Sequence, residues 1–274
     1  MSVIKIEKNL NLFYKDYGSG KPVIFVHGWV ISSHSWEYLM DDICKAGFRC
    51  ITYDQRGCGR SDQPWDGYNC GTLADDLAAI INQLDLNELT LVGHSLGCAV
   101  ITQYLAHYGE ARVSRAVYMG TISPYPNPDP TLASSLMAAI KADTPAYVRS
   151  LADGFFDLSG EGNTVSKEMT GWTVSIVLQG SLRASMEMTR LVFNNDQEDE
   201  LKKINIPVLL LHGDKDVSSP LDFTAVPTHQ LLRNSKLKVM ANQPHGMYIS
   251  QAAMLSPEII DFINIDEISP IAVS

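Results

Sequence analysis

A mainly parallel sheet flanked by helices on both faces is the architecture this sequence predicts, and three observations predict it. Short β-branched runs alternate with helical patterns through the first third of the chain. Pro22-Val-Ile-Phe-Val26 is apolar throughout, as a strand covered on both faces is. Residues able to do chemistry (His27, Asp54, Ser95) fall where the runs end, the edge at which ligands sit in such sheets.

The elements follow in order. Val3–Ile6 and Leu10–Tyr17 read as a hairpin pair, and Pro22-Val-Ile-Phe-Val26 as a buried strand ending at His27-Gly28-Trp29. Ser35–Cys44 has helical spacing, and Phe48–Tyr53 is the next strand. Thr72 and Asp75 form a capping-box signature, ahead of a helix carrying Leu73, Leu77, Ile80, Ile81 and Leu84 on one face. Leu89–Val92 is a strand, a helix then runs to about His107, and Val113–Met119 is another strand. From Ser123 the rhythm changes: Ser123-Pro-Tyr-Pro-Asn-Pro-Asp-Pro130 cannot form a regular helix, because proline lacks the donor and fixes φ. Helices are expected from Thr144-Pro145 and over about Thr173–Phe193. Residues from about 124 to 195 therefore read as a helical insertion in a single domain spanning 1–274. Strands resume at Ile206–Leu211 and Lys236–Met240, the eighth in the chain, and Gln251–Ile265 closes as a helix.

Composition narrows the class. The 274 residues are 45% hydrophobic and 19% charged with net charge −10, an ordinary globule without the basic surface that nucleic acid or anionic membranes demand. Neither partner is expected. No signal-peptide pattern opens the chain and no apolar run spans a bilayer, so a cytoplasmic location is expected. Five cysteines without C-x-x-C spacing read as reduced thiols. Cys98 reads as a small residue packing the helix after the turn rather than as a rival nucleophile. Asp54-Gln-Arg-Gly-Cys-Gly-Arg-Ser-Asp62 lacks the phosphate-loop and dinucleotide patterns and reads as a structural loop bridging Asp54 and its arginines. No histidine–carboxylate cluster has metal-ligand spacing, and no metal or cofactor is expected.

The chemistry-bearing segment is Leu89-Thr-Leu-Val-Gly-His-Ser-Leu-Gly97, a strand, a sharp turn and a helix start with Ser95 at the apex. Such a turn exposes its serine at a helix N-terminus, where free N–H groups favour developing negative charge. A serine nucleophile needs a base, a group to orient it and donors for the oxyanion. Among seven histidines, His245 lies on a Pro/Gly-flanked loop after the last strand and is the expected base. His27 and His212 precede strand-end glycines and read as structural hydrogen-bonders, and the His94 side chain is expected to point away from that of Ser95. Asp216 is preferred over Asp214 as the orienting acid, Asp214 being placed to cap its own turn. Backbone N–H groups of Leu96 and Trp29 are the expected oxyanion donors.

Taken together, Phe25-Val-His-Gly-Trp29, Tyr53–Trp65, Ala74-Asp-Asp-Leu77, the Gly93–Gly97 turn, Leu211–Asp216 and Pro244-His-Gly246 resemble the α/β-hydrolase superfamily, and within it the aryl esterase, perhydrolase and cofactor-free haloperoxidase group. The resemblance spans nearly the whole chain. It implies an eight-stranded α/β-hydrolase fold with a helical cap, a Ser95–Asp216–His245 triad, an oxyanion hole from Trp29 and Leu96, and a carboxylic ester or lactone as the small-molecule partner. Self-association is left open. Trp29, Val30, Phe155, Phe156, Trp172, Phe193, Val217 and Met247 are the candidate pocket residues, each cap aromatic being equally readable as core. Two departures stand out. Many peroxidase-type relatives have proline where this chain has Val30, and close relatives often have Phe-Ser-Met at the turn where this chain has His94-Ser95-Leu96. The first lowers the expectation of strong perhydrolysis. Lactonase, γ-lactamase, lyase or C–C hydrolase activity fits the same scaffold, whereas dehalogenases and epoxide hydrolases carry aspartate at the turn. A ligand receptor on the same fold is the non-enzymatic reading.

Overall fold

In the computed structural model, which describes residues 2–7 and 10–265, the predicted strands join one sheet. They are β1 (Val3–Glu7), β2 (Leu10–Tyr17), β3 (Pro22–Val26), β4 (Arg49–Tyr53), β5 (Leu89–His94), β6 (Val113–Met119), β7 (Val208–Gly213) and β8 (Ser235–Met240). Their spatial order is β1-β2-β4-β3-β5-β6-β7-β8. β2 pairs antiparallel with both β1 and β4, and every pairing from β4 to β8 is parallel. The helices are α1 (Glu37–Lys45), α2 (Cys70–Gln83), α3 (Leu96–Tyr108), α4 (Leu132–Ala142), α5 (Thr144–Phe156), α6 (Lys167–Val177), α7 (Leu182–Phe193), α8 (Glu198–Leu201), α9 (Ala225–Leu231), α10 (Met247–Ser250) and α11 (Ala252–Asn264).

The two-residue period of the central strands decides which helices cover which face. Ile24, Val26, Leu89, Leu91, Ala116, Tyr118, Val208 and Leu210 pack with α2 and α3. Their neighbours Val23, Phe25, Val92, Val117, Met119, Leu209 and Leu211 pack with α1 and α11. The helices α4–α7 occupy the insertion between β6 and β7 and lie over the carboxyl ends of the parallel strands.

Several boundaries differ from expectation for local reasons. Asn69, not Thr72, caps α2: its extended backbone lets its side chain accept from the Thr72 N–H at 2.9 Å, so the helix starts earlier and Thr72 lies inside it. The single helix expected over Thr173–Phe193 is two, α6 and α7, separated around Gly180. An added Cβ at Gly180 would lie 2.1 Å from Val30 Cγ1, and Ser181 then caps α7 through the Ala184 N–H. β7 starts at Val208 because Pro207 has no N–H to give the ladder.

The loop after β4 is structural, with its arginines divided. Arg60 binds Asp54, whereas Arg56 makes two 2.7 Å hydrogen bonds to the buried carboxylate of Asp76 on α2. Asp76→Asn would leave the buried Arg56 charge with only the exposed carboxylate of Glu7, 3.5 Å away, at a cost of about 3–5 kcal/mol. A thermal melt is expected to show a fall of the order of 10 °C; an unchanged melting temperature would mean that the pair contributes nothing net.

Candidate active site

Each expected triad and oxyanion residue lies on a strand-end loop or on the turn into α3. Ser95 caps α3 with φ 55° and ψ −121°, a region that non-glycine residues rarely occupy and that surrounding structure must enforce. Enforcement is visible on both sides. The Ser95 N–H donates to Met119 O on β6, and its carbonyl accepts from Cys98. Gly97 lies so close to β3 that a Cβ there would sit 2.1 Å from Val26 O. Cys98 is buried behind the turn and burial pushes its thiol up to about 12, so it stays protonated at neutral pH.

Asp216 and His245 meet across the ends of β7 and β8. Asp216 Oδ2 lies 2.6 Å from His245 Nδ1, and Asp216 Oδ1 accepts from the Ser219 N–H at 2.7 Å. Burial alone would raise the Asp216 pKa, but the neighbouring His245 and the donated hydrogen bonds outweigh it and hold the carboxyl below the usual carboxylate range. An ionised Asp216 accepts only, so Nδ1 of His245 carries a proton and its neutral form presents a bare lone pair at Nε2. Asp214 is exposed, and the turn-capping expected of it is performed by Asp216 instead. His212 donates from Nε2 to Ser219 O at 2.7 Å, and the desolvation of burial lowers its pKa.

The loop after β3 is held by His27. Its Nε2 accepts from the Gln55 N–H at 2.9 Å while Nδ1 donates to Gly28 O at 2.9 Å. Burial drives its pKa down, consistent with this neutral tautomer. Trp29 follows, its indole N–H directed to Thr189 Oγ1 at 3.0 Å and Ser185 O at 3.2 Å on α7. The Leu96 N–H is the first of α3 and has no intrahelical partner.

Ser95, His245 and Trp29 line one cavity of about 310 Å³, roofed by α4–α7 and walled mainly by apolar side chains. Of the other candidate pocket residues, Phe155, Phe156 and Phe193 line it and four do not. Val30 is fully buried with its side chain against Gly180, and Ile31 faces the cavity in its place. Trp172 packs edge-on against Tyr38, with ring centroids 6.0 Å apart. Val217 is 68% exposed while Ser218 and Ser219 turn inward, and Met247 belongs to the core under α11 beside the lining Tyr248. Unforeseen lining residues include Tyr147, Val148, Leu151 and Thr189. Their signal was the inner face of the amphipathic cap helices, which sequence spacing alone assigns equally well to core.

A family profile described as the alpha/beta hydrolase fold matches residues 21–172, more than half of the chain. The chain belongs to the α/β-hydrolase family. Within that family this hydrolase is 33% identical to a non-heme chloroperoxidase of Streptomyces lividans, the alignment covering 96% of this chain and 99% of the relative. It is 31% identical to a bifunctional esterase/perhydrolase of Acinetobacter calcoaceticus over 96% of this chain and 99% of that one. Among solved structures, a bromoperoxidase from Bacillus anthracis superposes with TM-score 0.92 at 31% identity, covering 96% of this hydrolase and 99% of its own chain. Esterase and haloperoxidase names thus recur on one scaffold, the group that the sequence motifs resemble. No helix among the described residues of this α/β hydrolase is long and apolar enough to cross a membrane.

Proposed function

We propose that this α/β hydrolase is a cofactor-free serine esterase acting on small or aromatic carboxylic esters, lactones included. The observation that carries the reading is the 2.6 Å Asp216–His245 hydrogen bond beside a strained Ser95 on the floor of a largely apolar cavity. His245 Nε2 takes the Ser95 hydroxyl proton as Oγ attacks the ester carbonyl. The oxyanion rests on the N–H groups of Trp29 and Leu96, each such donor being worth about 3 kcal/mol in the transition state. The alkoxide leaves with the proton from His245, giving an acyl-enzyme and the alcohol. Water then gives a proton to His245 and its oxygen to the acyl carbon, releasing the acid and restoring Ser95. A lactone follows the same steps with its alcohol still tethered.

The test is a pre-steady-state burst of p-nitrophenol from p-nitrophenyl acetate or butyrate, combined with fluorophosphonate labelling mapped to Ser95. A burst of one equivalent with the adduct on Ser95 supports the enzyme. Neither burst nor adduct would leave a ligand receptor as the better reading.

Perhydrolysis, named for the Acinetobacter relative, is the second reading, and the loop after β3 bears on it. Val30 has φ 47° at the centre of a tight turn in which the Ile31 N–H donates to Trp29 O at 2.6 Å. Proline, fixed near φ −65°, cannot occupy that conformation, so Val30→Pro must open this turn and re-aim the Trp29 carbonyl. Wild-type enzyme is expected to favour hydrolysis, and Val30→Pro to raise the peracid-to-acid product ratio several-fold in acetate ester plus hydrogen peroxide. An unchanged ratio in a folded variant would remove the turn from the argument.

A further inference from the structure

The peptide linking His245 to Gly246 is held at both polar ends by groups from different parts of the molecule. Its carbonyl accepts from His94 Nε2 at 3.1 Å, and its N–H donates to Phe155 O at 2.6 Å near the end of α5. A carbonyl only accepts, so Nε2 of His94 carries the proton and Nδ1 is bare. That Nδ1 is buried and unpartnered. Burial, reinforced by the charge of His245, drives the His94 pKa well below its ordinary value, and the ring stays neutral in this tautomer. The ring itself is wedged, with centroids 4.1 Å from Tyr248 and 4.6 Å from His245. On the other side, a Cβ at Gly246 would lie 2.5 Å from Phe155 Cε1, so glycine is what lets the cap close onto this peptide.

An aromatic ring without nitrogens would fill the space around His94 and leave no orphaned acceptor, which is costly to bury. What histidine adds is the bond to His245 O. We infer that His94 is a positioning residue for the general base, fixing the His245–Gly246 peptide from the sheet side while Phe155 fixes it from the cap. The inference rests on His245 being the base of the proposed mechanism. Asp216 sets the orientation of the imidazole ring; His94 sets the backbone from which that ring projects. Small displacements of a base weigh on the chemical step more than on substrate affinity.

The experiment compares His94→Phe, His94→Asn and His94→Gln. A glutamine amide nitrogen reaches about as far as Nε2, whereas the asparagine amide stops short of the carbonyl. With p-nitrophenyl butyrate, His94→Phe and His94→Asn are expected to lower kcat by about 10- to 100-fold with KM little changed, and His94→Gln to recover most of the loss. Circular dichroism identifies the folded variants; should His94→Phe not fold, the Asn–Gln pair decides. Folded His94→Phe or His94→Asn at wild-type kcat, Gln no better than Asn, or a loss confined to KM would overturn the inference. Fluorophosphonate labelling of the wild type runs alongside. No Ser95 adduct overturns the serine mechanism and the inference with it, whereas a labelled wild type with indifferent His94 variants overturns only the role of His94.

Discussion

Ser95→Ala is expected to lower ester turnover by at least about 10⁴-fold and to abolish fluorophosphonate labelling. The substitution removes one oxygen atom and little else. Alanine keeps the Cβ, the backbone bonds to Met119 and Cys98 involve no side-chain atom, and the positive φ is held by β3 and β6 rather than by the hydroxyl. The cavity and oxyanion donors survive, so residual catalysis comes only from binding and from polarisation of the carbonyl. Substrate affinity should change little, since the loss lies in forming the covalent intermediate. A purified Ser95→Ala enzyme within tenfold of wild-type kcat would dispose of the acyl-enzyme mechanism.

Asp216→Asn is expected to fall almost as far, by about 10⁴-fold in kcat, the magnitude seen when a triad acid becomes an amide. The reason is proton bookkeeping rather than shape. Asn preserves size, and its carbonyl oxygen is still able to accept from the Ser219 N–H that Asp216 Oδ1 binds at 2.7 Å. Its amide nitrogen then faces His245 Nδ1 as a donor, where the carboxylate accepted at 2.6 Å. His245 must move its proton to Nε2, the atom that has to be bare to deprotonate Ser95. The buried counter-charge for the imidazolium is lost as well. Asp216 does not line the cavity, so KM should hold while kcat collapses. A decrease of less than tenfold in kcat would show that another group orients the base.

How much of this was legible beforehand follows from what each signal depends on. The parallel strands were readable because short β-rich runs alternate with helical patterns, and the turn at Ser95 because only glycine fits beside Val26 O. That Asp216 and His245 would meet was readable from chain order and strand ends. The cap was not. Trp172 and Tyr147 both lie on apolar cap faces, yet Trp172 turns to Tyr38 and Tyr147 to the cavity. Spacing records which face is apolar, not what that face meets. The break between α6 and α7 escaped for the same reason, since Gly180 answers to Val30, 150 residues earlier in the chain. His94 was visible as a departure from Phe-Ser-Met relatives, but its bond to the His245 carbonyl is a tertiary fact with no local trace.

The indole of Trp29 latches onto α7 while its own peptide N–H is proposed to hold the oxyanion. On the proposed mechanism, one residue therefore belongs both to the cap that walls the cavity and to the machinery that turns substrates over. Exchanging the cap for that of a relative, the obvious route to a new specificity, would cut this tie unless the graft brings a hydroxyl and a carbonyl to where Thr189 and Ser185 now stand. Chimeras that keep this pair should inherit turnover along with their new preference. Those that lose it should bind the new ester and convert it slowly, so the cap of this enzyme is not an interchangeable module.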